Sequence, residues 1–157
     1  MNSAKWRFGV DAGMGAALLV AVSSGLVLGM GTPAGADAAL RSHSTHVWGA
    51  LHGLSSAVLL LGTLVHLAIH RRWIAGAVRS MKVRGIPWIE GGLLVLFLGV
   101  LATAPEGAHG ASSPQDSPVF LLHWAGALAL AGLALAHLAG HRAWIASVLR
   151  LRPGQED

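Results

Sequence analysis

Residues Leu51–Trp73 read LHGLSSAVLLLGTLVHLAIHRRW, and the chain writes this stretch twice. Adding 71 to each position turns His52 into His123, His66 into His137, His70 into His141 and Trp73 into Trp144. The flanks follow: Leu67/Leu138, Ala68/Ala139, Arg71/Arg142, Ile74/Ile145, Ala75/Ala146 and Arg79/Arg150 are equivalent. This is an internal repeat. A histidine in an apolar helix costs free energy unless its ring nitrogens are satisfied, so a set of three kept in both copies asks for a physical reason.

Composition places the repeat in a bilayer. The 157 residues are 54% hydrophobic and 11% charged, with a mean hydropathy of +0.59. A water-soluble domain carries about a quarter charged residues, and the uncharged runs are long enough to cross a membrane. Within this length there is room for no second sizeable domain. The formal charge of +4 and a pI near 11.2 raise nucleic acid as a partner. The basic residues argue against it, because they sit at the ends of apolar runs and form no face that tracks a phosphate backbone. Cysteine is absent, which excludes disulfides, thiolate metal sites, iron–sulfur clusters and covalently attached c-type heme. Any metal must therefore be held by histidine or oxygen. Trp6, Trp48, Trp73, Trp88 and Trp144 fall near the ends of apolar runs, where an interfacial aromatic belt places them.

The chain reads as an all-α, transmembrane four-helix bundle made of two tandem two-helix repeats. Residues 1–81 form the first, with helices at about 12–31 and 45–81; residues 82–157 form the second, with helices at about 86–104 and 119–152. Ala12–Gly31 is free of charge and, as a helix, spans about one bilayer thickness. Together with its basic lead and the AGADA stretch at 34–38 it also fits a secretory signal, but the run is longer than a signal core. Thr32–Ser44 reads as a loop, Lys82–Gly85 as a turn, and Pro87 as an opener of the third helix. Pro105–Pro118 is a second loop, and the tail after Pro153 is expected to fray. Ten of the eleven basic residues lie on one side of this arrangement, with only Arg41 on the other. By the positive-inside rule both termini are cytoplasmic in a multi-pass protein of the bacterial inner membrane. Helices two and four then run in the same direction.

Direction decides which histidines meet. His52 and His66 are 14 positions apart, as are His123 and His137; on a helix this returns to within roughly 40° of the same face after about 21 Å. Parallel helices put His52 level with His123 near the outer surface and His66 level with His137 nearer the inner one. Facing imidazoles supply both axial positions of a heme iron, so the set describes two stacked bis-histidine hemes inside a helix bundle. His70 and His141 are the alternative inner ligands, 18 positions from His52 and His123 on the same face. Ligation there would push the inner heme toward the headgroups, which favours His66 and His137. His70 and His141, beside Arg71, Arg72 and Arg142, would then bond heme propionates, line a quinone pocket, or simply snorkel to the interface.

With these residues in view, the chain resembles the di-heme core of the b-type cytochromes in quinol-oxidising bc complexes. It is also similar to the membrane cytochrome b subunits of formate dehydrogenases and hydrogenases. The Trp48-x-x-Leu51-His52 start and His66-Leu67…His70-x-Arg72-Trp73-Ile74 finish of the first copy resemble a family of uncharacterised bacterial membrane domains of cytochrome b-like character, present in tandem over nearly the whole chain. The resemblance implies axial ligation by His52, His66, His123 and His137, two heme b, and electron transfer between a redox partner and the quinone pool or across the membrane. The implied partners are membrane lipid and other redox subunits of a membrane complex, with quinone as a further candidate. Gly15/Gly29 and Gly85/Gly99, each 14 apart, match the spacing of glycines in the resembled core, and Gly25-x-x-x-Gly29 and Gly49-x-x-x-Gly53 are candidates for helix packing.

Asp11 and Glu90 fall at matching cytoplasmic starts of helices one and three. A helix-dipole role explains them, with proton handling at a quinone site as the alternative. His43, His46 and His109 are expected in the outer loops. No nucleophile, acid–base pair or nucleotide loop is visible, so an enzymatic role would come only through a quinone oxidoreductase assembly. Three rivals remain. A (bacterio)chlorophyll-binding subunit would use single histidine ligands, a histidine-lined transporter would need more intramembrane polar residues, and a purely structural subunit of a respiratory or photosynthetic complex would leave its histidines without a cofactor.

Overall fold

The computed structural model describes residues 3–30, 38–84, 88–104 and 117–150. These residues form five helices: α1 (Ser3–Met30), α2 (Ala38–Arg84), α3 (Trp88–Thr103), α4 (Pro118–Gly140) and α5 (Arg142–Arg150). Three are long and apolar enough to cross a membrane, through Trp6–Met30, His43–Gly76 and Pro118–Gly140. The fourth expected crossing, α3, has 16 residues. At 1.5 Å per residue that is about 24 Å, short of a hydrocarbon core of about 30 Å.

Two antiparallel hairpins make up the fold. α1 packs along α2 and α3 along α4, and the hairpins meet where α1 packs on α4. Their internal registers are set by polar contacts. Asp11, eight residues into α1, meets His66 just past the middle of α2, and Ala21 and Ser24 farther along α1 meet His52. In the second hairpin Val100 and Thr103, at the end of α3, meet His123 near the start of α4. The pairing of His52 with His123 fixes α2 and α4 as running in the same direction, because His137 in turn interacts electrostatically with His66.

The helix boundaries differ from the sequence expectation in four places. α1 begins at Ser3 and α2 at Ala38, so residues 38–44 are helical rather than loop, and His43 and His46 lie on α2. Ala38, Ala39 and Leu40 are strong helix formers, and nothing after Ala38 interrupts them. α2 likewise runs on to Arg84, through residues read as a turn. The continuous fourth helix to residue 152 is corrected to two helices. At His141 the backbone turns to φ −96°, ψ 7°; its N–H reaches back to the carbonyls of His137 and Leu138, and α5 restarts at Arg142. The break follows Gly140, which stands where the first copy has Ile69, and glycine is disfavoured inside a helix by about 1 kcal/mol. The bend lets amphipathic α5 bury Val148 and bring Trp144 to 6.4 Å from the ring of Phe8. Residue His109 and the loop at 105–116 lie outside the described residues.

Burial is inverted relative to a protein that folds in water. Among the described residues the buried side chains are mostly small, namely Ala17, Ala21, Ser24 and Ser55, with Leu130 and Val148. Leu54, Leu61, Leu122 and Leu135 are between 63% and 68% exposed. In water such faces would be a liability. In hydrocarbon they are matched, and association rests on close packing of small residues. Ser24 caps its own polarity by donating from Oγ to the Val20 carbonyl at 2.6 Å, and Ser55 does the same to Leu51. Ala21→Leu therefore overfills the α1–α2 contact and should lower thermal stability in detergent by about 1–3 kcal/mol. Leu61→Ala, on the outward face, should change it by about 0.5 kcal/mol or less; equal losses would mean that α1 and α2 do not pack through this stripe.

Candidate functional site

Each histidine of the His52–His123 pair is fixed by the other helix of its own hairpin. His52 Nδ1 lies 2.9 Å from the Ala21 carbonyl oxygen and 3.5 Å from Ser24 Oγ. His123 Nδ1 lies 3.1 Å from the Val100 carbonyl oxygen and 3.2 Å from Thr103 Oγ1. A carbonyl can only accept, so each Nδ1 carries the proton and Nε2 is left as the basic ligand atom of the ring. This is how metal-binding imidazoles are commonly held, with one nitrogen donating to a carbonyl or carboxylate and the other facing the metal.

The structure brings His52 and His123 together, with ring centroids 6.2 Å apart and planes inclined at 71°. That spacing suits one shared metal centre. Two metal–imidazole bonds of about 2 Å, with each ring centre roughly 1 Å behind its nitrogen, put the centroids of a collinear pair about 6 Å apart. In heme chemistry such a pair gives six-coordinate iron. The donor set fits heme b, which needs nothing from cysteine.

Farther along α2 and α4, the remaining repeated histidines gather with carboxylates. His66 Nδ1 is 2.7 Å from Asp11 Oδ1, and the His70 ring lies 4.6 Å from that of His66, as an i, i+4 pair on one helix face allows. The second copy repeats the motif. His137 and His141 have ring centroids 4.6 Å apart, with Glu90 beside them. In both groups, one ligand-capable atom from each of the three residues lies within 4.8 Å of the others. The two groups also sense one another, since His137 interacts electrostatically with His66 and Asp11, and His70 with His141. A two-histidine, one-carboxylate set is also a known donor set for divalent transition metals.

Asp11 is not at a helix start as expected, because α1 begins eight residues earlier at Ser3. Its role is the bond to His66. Glu90 does lie in the first turn of α3, and it joins the second histidine group as well. Arg71 and Arg142 are both exposed. Arg71 lines an open recess with Trp6, Arg7, Ala68, Ile69 and Arg72, and no histidine takes part in it. Of the expected glycines, Gly29 packs against Trp124 and Phe120, whereas Gly15 and Gly99 face open space and Gly85 lies outside the described residues. Gly25 was expected only as a packing residue. A Cβ there would come within 3.1 Å of the His52 ring, so glycine is what lets α1 approach that imidazole.

The supporting residues are themselves duplicated, at a different interval from the histidines. Asp11/Glu90, Ala21/Val100 and Ser24/Thr103 are each 79 positions apart, against 71 for the ligand set. The difference is the longer connection in the first hairpin, where Ser24 and His52 are 28 residues apart and Thr103 and His123 only 20. A comparison at a fixed shift of 71 passes over these residues; a second shift finds them.

The chain matches no protein-family model, no curated protein and no solved structure. Its function has to be read from its own side chains. The Asp11–His66 bond joins two partly buried groups, about 28% and 30% exposed. Asp11→Leu removes the acceptor and should lower the thermal stability of the chain in detergent by about 1–3 kcal/mol, while Asp11→Asn, which keeps an acceptor, should lose less than half of that. Equal stability of Asp11→Leu and the parent chain would remove this bond from the α1–α2 register.

Proposed function

We propose that the chain is an integral-membrane di-heme cytochrome b subunit, folded as a transmembrane four-helix bundle with both termini on the cytoplasmic side of a bacterial inner membrane. It carries electrons between a redox partner and the quinone pool or across the bilayer. The observation that carries this reading is the outer pair: two imidazoles from parallel helices, 6.2 Å apart, each with Nδ1 held by a carbonyl of its own hairpin. A packing histidine has no need for a partner imidazole at the spacing of a shared metal.

His52 and His123 are the ligands of the outer heme and His66 and His137 those of the inner one. When bound, heme b supplies one-electron chemistry between ferric and ferrous iron. The protein holds the rings in one tautomer, keeps the levels about 21 Å apart along α2 and α4, and surrounds them with apolar helices. Asp11 orients His66, and Glu90 stands in the corresponding place beside His137. His70 and His141, next in line toward the basic ends of the helices, are left for propionates or quinone.

A second reading has one observation in its favour. The two inner groups, Asp11–His66–His70 and Glu90–His137–His141, could each hold a divalent transition ion in place of an inner heme. Heme counting separates the two. Purified protein expressed with heme available should give a pyridine hemochrome value of two b-type hemes per chain and sharp low-spin bands on reduction. His52→Ala or His123→Ala should remove one heme and leave the other; His66→Ala or His137→Ala should remove the second. One heme in the parent chain, together with stoichiometric zinc, manganese or iron by elemental analysis, would favour the divalent-ion reading. No heme at all would sink the proposal.

A further inference from the structure

The two histidine levels are held by different chemistry. At the outer level every anchor is neutral: the carbonyls of Ala21 and Val100 and the hydroxyls of Ser24 and Thr103. At the inner level the anchors are carboxylates, with Asp11 on His66 at 2.7 Å and Glu90 grouped with His137 and His141. Asp11 and Glu90 are the only acidic residues among the described residues, and the two hairpins place both at the same level. Each hairpin thus contributes one carboxylate to the inner level and none to the outer.

From this asymmetry we propose that Asp11 and Glu90 make the inner heme site the lower-potential one of the two, so that it is reduced last. The inference rests on the di-heme reading. Two effects act in the same direction. A ring N–H that donates to a carboxylate makes the opposite nitrogen more basic than one that donates to a carbonyl, and a more basic ligand favours ferric over ferrous iron. A negative charge beside the ligand also favours the oxidation state with one more positive charge, and it does so strongly where dielectric screening is weak.

Opposing charges are present at this end. Arg7 interacts electrostatically with His70, and Arg71 and Arg72 are near in sequence. All three arginines are exposed, so water and headgroups screen them. Asp11 is in direct hydrogen-bond contact with the ligand ring, inside the packed α1–α2 contact. Contact outweighs screened charge, and the sign of the difference follows the carboxylates.

The test is an optical redox titration of the purified holoprotein in nanodiscs at one pH, on the parent chain and on Asp11→Asn, Glu90→Gln and Thr103→Val. His66→Ala identifies the inner wave. The parent should show two one-electron waves, and His66→Ala should lose the lower. Asp11→Asn and Glu90→Gln keep a hydrogen-bonding group and remove the charge. Each should raise the lower midpoint and leave the upper one in place, with the double variant bringing the waves together. Thr103→Val, at the outer level, should leave the lower midpoint unmoved. Loss of the upper wave in His66→Ala, or a lower midpoint that neither carboxylate variant moves, overturns the inference while the two hemes stand. Fewer than two hemes per chain in the parent overturns the di-heme reading, and the inference with it.

Discussion

An imidazole among apolar helices cannot leave its Nδ1 proton without an acceptor, and this structure depends on how that need is met. In water the cost of an unpaired polar group is covered by solvent; between packed helices it falls on the protein, at about 1–3 kcal/mol for each group. His52 and His123 meet it through backbone carbonyls of α1 and α3 that a regular helix has already used once, since a carbonyl oxygen has two lone pairs. The bond requires close approach of the two backbones, and close approach requires small residues. Gly25 opposite His52, and Ala17, Ala21 and Ser24 along the same helix, follow from that requirement.

The small interior sets the outward face. With alanine, serine and glycine in the contacts, the bulky leucines have no core to enter and point away from the helix pairs. A polypeptide of this kind gains little by collapsing in water and much by entering hydrocarbon, where the same leucines are solvated by lipid tails. Polar bonds between helices then set register: Asp11–His66 at one end and Ala21–His52 farther along α1 pin the first hairpin at two heights, and a slip of one turn would break both.

Much of this was legible in the sequence, and the failures have physical causes. Uncharged runs bounded by basic residues and tryptophan gave the positions of the long helices, because hydropathy and length are the main requirements of a membrane span. The 14-residue histidine spacing placed the rings on one face, and the shared direction of α2 and α4 put His52 level with His123. The ends of the helices were not legible. Ala38–Ser44 and Lys82–Arg84 carry no residue that forces a helix to start or stop, and α2 runs through both. The break at His141 was hidden because the repeat suggested that the second copy would behave as the first, although Gly140 in place of Ile69 marks the site. Ser24 and Thr103 gave no warning, since a hydroxyl in an apolar helix ordinarily bonds its own preceding turn, and both of these also do so. Asp11 and Glu90 read as acids at matching helix starts, and their histidine partners became visible only with the hairpin registers.

Each hairpin carries what orients its own member of the facing pair: His52 is anchored by α1 and His123 by α3, and neither borrows one of these anchors from the other half. Only the space between the two rings is shared. A single two-helix unit that met its own copy across a two-fold axis along the membrane normal would create the same facing imidazoles. The unequal connections, eight residues longer in the first hairpin, leave that symmetry intact at the histidines. The present chain carries two such units in one polypeptide. The halves are not identical: the bend at His141 has no counterpart at His70, and aspartate in the first half stands where the second has glutamate.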